Sequence, residues 1–126
     1  MLFWLLAGLT LYLISIYVAP VMVGMKIGVP PLAGSRDTLP DPGRSVLRAR
    51  RAHANLQENM PFFLTLGLAA LVEPGVDLPV AVLGAKIFVV TRAVYIPAYL
   101  SGVPYLRSAV YFVGLIGCAL MGYALI

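Results

Sequence analysis

Apolar residues run almost unbroken from Leu2 to about Met25, and no charged residue interrupts them. About 20 such residues suffice to cross the hydrocarbon of a bilayer, so this run predicts a spanning helix, kinked near its end by Pro20. The pattern then changes. From Gly28 to Gly43 (GVPPLAGSRDTLPDPG) the chain is rich in Pro and Gly and reads as a loop. A second helix is expected from about Arg44 or Ser45 to Val72, with two strongly basic first turns that project from the hydrocarbon. Glu73-Pro74-Gly75-Val76-Asp77 reads as a tight turn. A third helix follows from about Leu78 to Leu100, and the short link Ser101-Gly102-Val103-Pro104 leads into a fourth. The expected spans are thus 2–25, 45–72, 78–100 and 104–126, in one all-α domain that covers 1–126.

Composition supports a lipid environment. Of 126 residues, 61% are hydrophobic and 11% charged, and the mean hydropathy is +0.95. A soluble fold of this size leaves too much of its surface in water to hide that much apolar area. The formal charge of +4 does not change the picture, because the cations form no soluble patch. Most of them (Lys26, Arg36, Arg44, Arg48, Arg50 and Arg51) lie in or beside the first loop, which argues against a nucleic-acid partner. Arg107 flanks the link between helices three and four, on the same side. The opposite side carries both termini and the turn with Glu73 and Asp77, and no Lys or Arg. The positive-inside rule then predicts cytoplasmic basic loops and external termini. Met1-Leu2-Phe3-Trp4 lacks the basic start of a signal peptide, so the first helix is expected to persist in the mature protein.

Several polar residues fall inside the expected spans, where an ionisable group costs about 2.5 to 3.5 kcal/mol and needs a partner or a wet cavity. Arg51, Asn55 and Glu58 stand at i, i+4 and i+7, which places them along one face of helix two, with Arg48 extending the stripe. His53 lies roughly 200° from Arg51 around that helix, off the stripe. Helix three carries Arg92, Tyr95 and Tyr99 at i, i+3 and i+7. Helix four adds Arg107, Ser108 and Tyr111 at its cytoplasmic end. At about 1.5 Å per residue, these stripes reach similar depths in the cytoplasmic half. Their excess of arginine over glutamate suits an anionic ligand.

Plainer readings compete with this one. Arg48, Arg50 and Arg51 also fit as interfacial anchors, and Tyr99 and Tyr111 as members of an aromatic belt. Arg92 and Glu58 also fit a buried structural pair. Lys86 has two readings, pairing with Glu58 or extending outward to the interface. Cys118, the only cysteine, has no disulfide partner in the chain and reads as a small packing residue. One His, one Cys and no acidic cluster fall short of a metal-ligand set, and no Ser/His/Asp arrangement, phosphate loop or dinucleotide fingerprint is present.

The run Arg48-Ala49-Arg50-Arg51-Ala52-His53-Ala54-Asn55-Leu56-Gln57-Glu58-Asn59-Met60-Pro61-Phe62-Phe63 resembles the signature of the MAPEG family, the membrane-associated proteins of eicosanoid and glutathione metabolism. The family pattern R-A-x-x-N-x-x-E, followed by Pro, is matched by Arg51, Ala52, Asn55, Glu58 and Pro61. Its helix-three pattern R-x-x-Y-x-x-x-Y is similar to Arg92, Tyr95 and Tyr99, followed by Arg107-Ser108 and Tyr111. The resemblance covers the whole chain, including span number and loop charge.

The resemblance implies a homotrimer of four-helix subunits that binds glutathione as co-substrate between neighbours, open to the cytoplasm. Arg51, Asn55 and Glu58 would contact the tripeptide, with Glu58 taking its amino group. Arg92, Tyr95 and Tyr99 would hold its carboxylates and backbone. Arg107, with Ser108 and Tyr111, would face the sulfur. Lys26 stands where several relatives have an arginine that reaches in from the neighbouring subunit. Asn59 departs from the tyrosine found after the glutamate in some eicosanoid-synthesising relatives, which argues against leukotriene-type specificity. The short loops and missing targeting sequence resemble a bacterial member, located in the inner membrane.

The expected activity is that of a transferase or peroxidase acting with glutathione on lipophilic electrophiles or lipid hydroperoxides drawn from the surrounding lipid. The alternative is a non-catalytic protein of the same fold that binds lipid or scaffolds a partner. A small four-span transporter fits the size, but its first span would need a charge that this chain lacks.

Overall fold

The computed structural model describes residues 1–28, 41–103 and 105–126. Among them are four helices: α1 (Leu2–Ile27), α2 (Gly43–Val72), α3 (Leu78–Ser101) and α4 (Leu106–Tyr123). Residues 29–40 of the loop expected from Gly28 to Gly43 and Pro104 of the second link lie outside the described residues.

Local sequence explains the helix ends. Asp77 caps α3 by accepting from the Val80 amide at 3.2 Å, with Pro79 in the first turn, where its missing amide proton costs nothing. Gly102 closes α3 in the left-handed region at φ 72°, and a side chain there would also collide with the Arg48 guanidinium. Arg48 uses that space to donate from Nη1 to the Leu100 carbonyl at 3.3 Å, placing a cation at a helix C-terminus. Pro20, Pro61 and Pro97 stand inside helices, a placement more readily accommodated in membrane helices than in soluble ones.

Three of the helices, α1, α3 and α4, are long and apolar enough to cross a membrane. The fourth, α2, is the longest at 30 residues, but Arg44, Arg48, Arg50, Arg51 and Glu58 interrupt its apolar character. The chain is therefore an all-α membrane bundle. In it α3 and α4 pair most extensively, α2 touches the other three helices, and α1 packs on α2 and α3.

Small residues make the α3–α4 seam. A Cβ on Gly84 would lie 2.5 Å from the Gly117 carbonyl oxygen, and one on Gly117 would lie 2.7 Å from the Gly84 carbonyl oxygen. The two backbones are thus in direct contact, the usual way for helices to associate where lipid removes the hydrophobic drive. Beside this seam Phe63 and Phe88 stack at 4.4 Å, within a core that includes Leu5, Leu56, Met60 and Met121. Many large apolar side chains point outward instead, among them Phe3, Leu13, Phe62, Phe112 and Ile116, as befits a surface wetted by lipid tails.

Candidate functional site

At the end of the bundle that carries the basic residues, two adjoining cavities share Tyr99 and Arg107. The larger, about 370 Å³, lies against Asn55 of α2, Tyr95 and Tyr99 of α3, and Arg107, Ser108, Tyr111 and Phe112 of α4. The smaller, about 270 Å³, is lined by Arg48 and Arg51 of α2, Tyr99, the Gly102-Val103 link and Arg107. Among the described residues, three guanidinium groups and no carboxylate line the pair. The Arg107 guanidinium lies 5.3 Å from the centre of the Tyr99 ring, a cation–π contact that holds it between the two spaces.

The spacing along α3 and α4 explains this convergence. Tyr95 and Tyr99 are one turn apart and their rings approach to 5.5 Å. Arg107 and Tyr111 are likewise one turn apart, at the start of α4. The α3–α4 seam is tight at Gly84 and Gly117, and toward the basic end the two rows of side chains face each other across the larger cavity.

Arg92 sits behind the larger cavity and is not among the residues that line either space. Its side chain is 1% exposed. Nη1 donates to the Asn55 carboxamide oxygen at 2.9 Å, while Nε and Nη2 have no hydrogen-bond acceptor among the described residues. The rings of Phe88, Tyr95 and Tyr111 surround the guanidinium at 5.1, 5.6 and 5.0 Å. Three aromatic faces partly replace the missing acceptors, since desolvation strengthens each such contact. The arrangement fixes the Asn55 carbonyl group and leaves its amide nitrogen for the cavity side.

The polar stripe of α2 divides. Asn55 turns inward to α3, whereas Arg51 and Glu58 are exposed, and Glu58 lines neither cavity. On a helix with 100° between residues, Asn55 and Glu58 are about 60° apart, enough to send one into the bundle and the other to its outer face. Lys26, at the end of α1, donates to the Pro42 carbonyl at 2.9 Å and so ties α1 to the start of α2. His53 faces α1. Its Nδ1 lies 2.9 Å from Ser15 Oγ, which donates its single proton to the Tyr12 carbonyl at 2.6 Å, so the imidazole is the donor to the serine. Asn59, buried, spends its amide on the Asn55 carbonyl at 2.7 Å.

Phe112, Gly102 and Val103 line the cavities without having been singled out in the sequence. An aromatic in an apolar helix and two residues of a link carry no signal of that kind. Arg48 did carry one, as the residue one turn before Arg51.

Four membrane-bundle helices with a cationic, hydroxyl-lined cleft at one end define a small polytopic membrane protein built around a polar site. The model of the MAPEG family matches residues 1–126, the whole chain, and the chain belongs to that family. That family is, at the coarse level, one of membrane transferases and peroxidases related to glutathione. No curated protein and no solved structure matches the chain.

Proposed function

We propose that this protein is a glutathione-dependent transferase or peroxidase that acts on lipophilic electrophiles or hydroperoxides arriving through the membrane. The observation that carries the reading is Arg107, shared by a cavity of guanidinium groups and a cavity of hydroxyl groups. Glutathione is a tripeptide with two carboxylates, one ammonium and one thiol. The carboxylates suit Arg48 and Arg51, which can form charge-assisted, bidentate hydrogen bonds. The peptide backbone suits Tyr95, Tyr99 and Asn55, with Arg92 acting through Asn55 as a positioning residue. The larger cavity alone is of the size usual for small-molecule sites, about 300 to 1,000 Å³.

With the tripeptide so placed, its sulfur lies beside Arg107. A fixed cation favours the thiolate over the thiol, and the thiolate is the nucleophile. In conjugation the sulfur forms a bond to an electrophilic carbon, the leaving group departs with its electron pair, and the thiol proton goes to solvent. In peroxide reduction the sulfur attacks the terminal oxygen and the oxygen–oxygen bond breaks. The alkoxide then takes a proton relayed by Ser108 or Tyr111. The thiol of a second glutathione condenses with the resulting sulfenic acid to give the disulfide and water.

Glu58, exposed at the middle of α2, supports a homotrimer in which a neighbour covers it. A lipid-facing charge at that depth costs several kcal/mol, which a protein partner or ligand removes. In that assembly Glu58 receives the ammonium of glutathione bound between subunits, and Lys26 contributes from across the interface. The distribution of Lys and Arg supports a cytoplasmic opening in a bacterial inner membrane, with both termini outside.

Calorimetric titration of glutathione into the detergent-solubilised protein, followed by conjugation of chlorodinitrobenzene, tests the proposal. Saturable binding with turnover is expected. Binding without turnover would point to a non-catalytic lipid-binding or scaffolding member of the family, and absence of binding would remove the glutathione site.

A further inference from the structure

On the outer flank of the α3–α4 pair, from the middle of α3 toward its Asp77 end, lies a third cavity of about 230 Å³. It is lined by Leu83, Lys86, Ile87, Val90 and Thr91 of α3 and by Val113 of α4. Thr91 is already committed, since its hydroxyl lies 2.7 and 2.9 Å from the Ile87 and Phe88 carbonyls of its own helix. Lys86, exposed, is therefore the one charged group among the described residues that line an otherwise apolar groove, and none of them is a carboxylate.

Depth and direction then matter. Lys86 follows the start of α3 by eight residues, about 12 Å along the axis. Helical side chains lean toward the N-terminus, so the ammonium extends toward the Asp77 end while the butyl stem lies on the apolar wall. Val90, Thr91 and Val113 continue the groove in the opposite sense, toward the middle of the bilayer. A cation nearer the membrane surface, with an apolar channel running inward from it, has the polarity of a lipid standing in one leaflet.

We propose that this groove binds a phospholipid with an anionic headgroup, its phosphate at Lys86 and one acyl chain along Val90, Ile87 and Val113. Charge complementarity selects the occupant: a zwitterionic lipid gains the same apolar contact and much less from the ammonium. The groove shares no lining residue with the cleft around Arg107, so the inference stands whether or not glutathione binds.

The test uses the full-length protein in detergent with equimolar phosphatidylglycerol and phosphatidylcholine, and reads retained lipid by native mass spectrometry. One lysine near the surface should favour the anionic lipid about fivefold. Lys86→Gln should abolish that preference and Lys86→Arg should keep it. Val113→Trp, which fills the groove, should lower retention of both lipids. An equal preference in the wild type and Lys86→Gln would overturn the proposal, as would no preference in the wild type. So would a change of oligomer mass without a change of bound lipid in Lys86→Gln, which would make the groove a contact between copies of this chain.

Discussion

The Arg92 guanidinium donates from Nη1 to the Asn55 carboxamide oxygen at 2.9 Å, joining α3 to α2 behind the wall of the larger cavity. This is the only hydrogen bond from that guanidinium among the described residues, with two further nitrogens held only by aromatic faces. A buried cation with a single acceptor is sensitive to losing it. Asn55→Ala is expected to lower stability by about 2 kcal/mol, the usual worth of a hydrogen bond to a charged group. Asn55→Asp, which offers a carboxylate at the same place, should unfold at or above the wild-type temperature. Thermal unfolding in one detergent measures both, and an Asn55→Ala variant as stable as the wild type would show that the bond carries no weight.

The α3–α4 seam leads to a second expectation. Gly84→Val places a methyl-bearing carbon against the Gly117 carbonyl and the Met121 amide, both backbone groups that cannot step aside. Overpacking of this kind costs about 1 to 3 kcal/mol. Because Tyr95, Tyr99, Arg107 and Tyr111 keep their relation through the same seam, glutathione affinity should fall along with the unfolding temperature. Gly75→Ala, in a turn where a Cβ meets nothing within 4 Å, is the comparison. Its φ of 88° makes it mildly destabilising, with affinity unchanged.

Much of the fold was legible because lipid demands long apolar runs, and α1, α3 and α4 have them. The second helix was legible only through its neighbours: its charges hide it from a composition test, while the loop before it and the Glu73–Asp77 turn after it bound it. The site was legible where residues repeat at helical spacing on adjacent helices, as with Tyr95, Tyr99, Arg107 and Tyr111. It was less so where a side chain's direction depends on helix rotation. Asn55 and Glu58 share a stripe in sequence, yet the packing of α2 on α3 turns only Asn55 inward. Arg92 shares its stripe with two cavity-lining tyrosines but lies behind them, among the rings of Phe88, Tyr95 and Tyr111, a depth that helical spacing alone does not give. Phe112 is one apolar residue among many, and only the opening of the cleft distinguishes it.

Glu58 provides a third expectation. If the ammonium of glutathione meets this carboxylate, Glu58→Gln should weaken binding about tenfold, the worth of one charge-assisted hydrogen bond. The variant should fold normally, because the residue is exposed on the subunit. Calorimetric titration decides this, and unchanged affinity would remove Glu58 from the site.

Arg107 separates binding from chemistry. Arg107→Ala should lower the rate of conjugation about a hundredfold or more, the usual effect of removing a preorganised charge beside a reacting atom. Glutathione affinity should fall far less, because Arg48, Arg51 and the tyrosines remain. Single-turnover rates at saturating glutathione, set beside equilibrium titrations, give the two numbers. Equal losses in both would make Arg107 a binding group only.

The most direct measurement is the ultraviolet absorbance of the thiolate when glutathione binds, followed as a function of pH. In the wild-type protein the thiolate band should appear well below the pH at which free glutathione ionises, and in Arg107→Ala it should return to the behaviour of the free peptide. A bound thiol that ionises like free glutathione in the wild type would contradict the claim that Arg107 activates the sulfur.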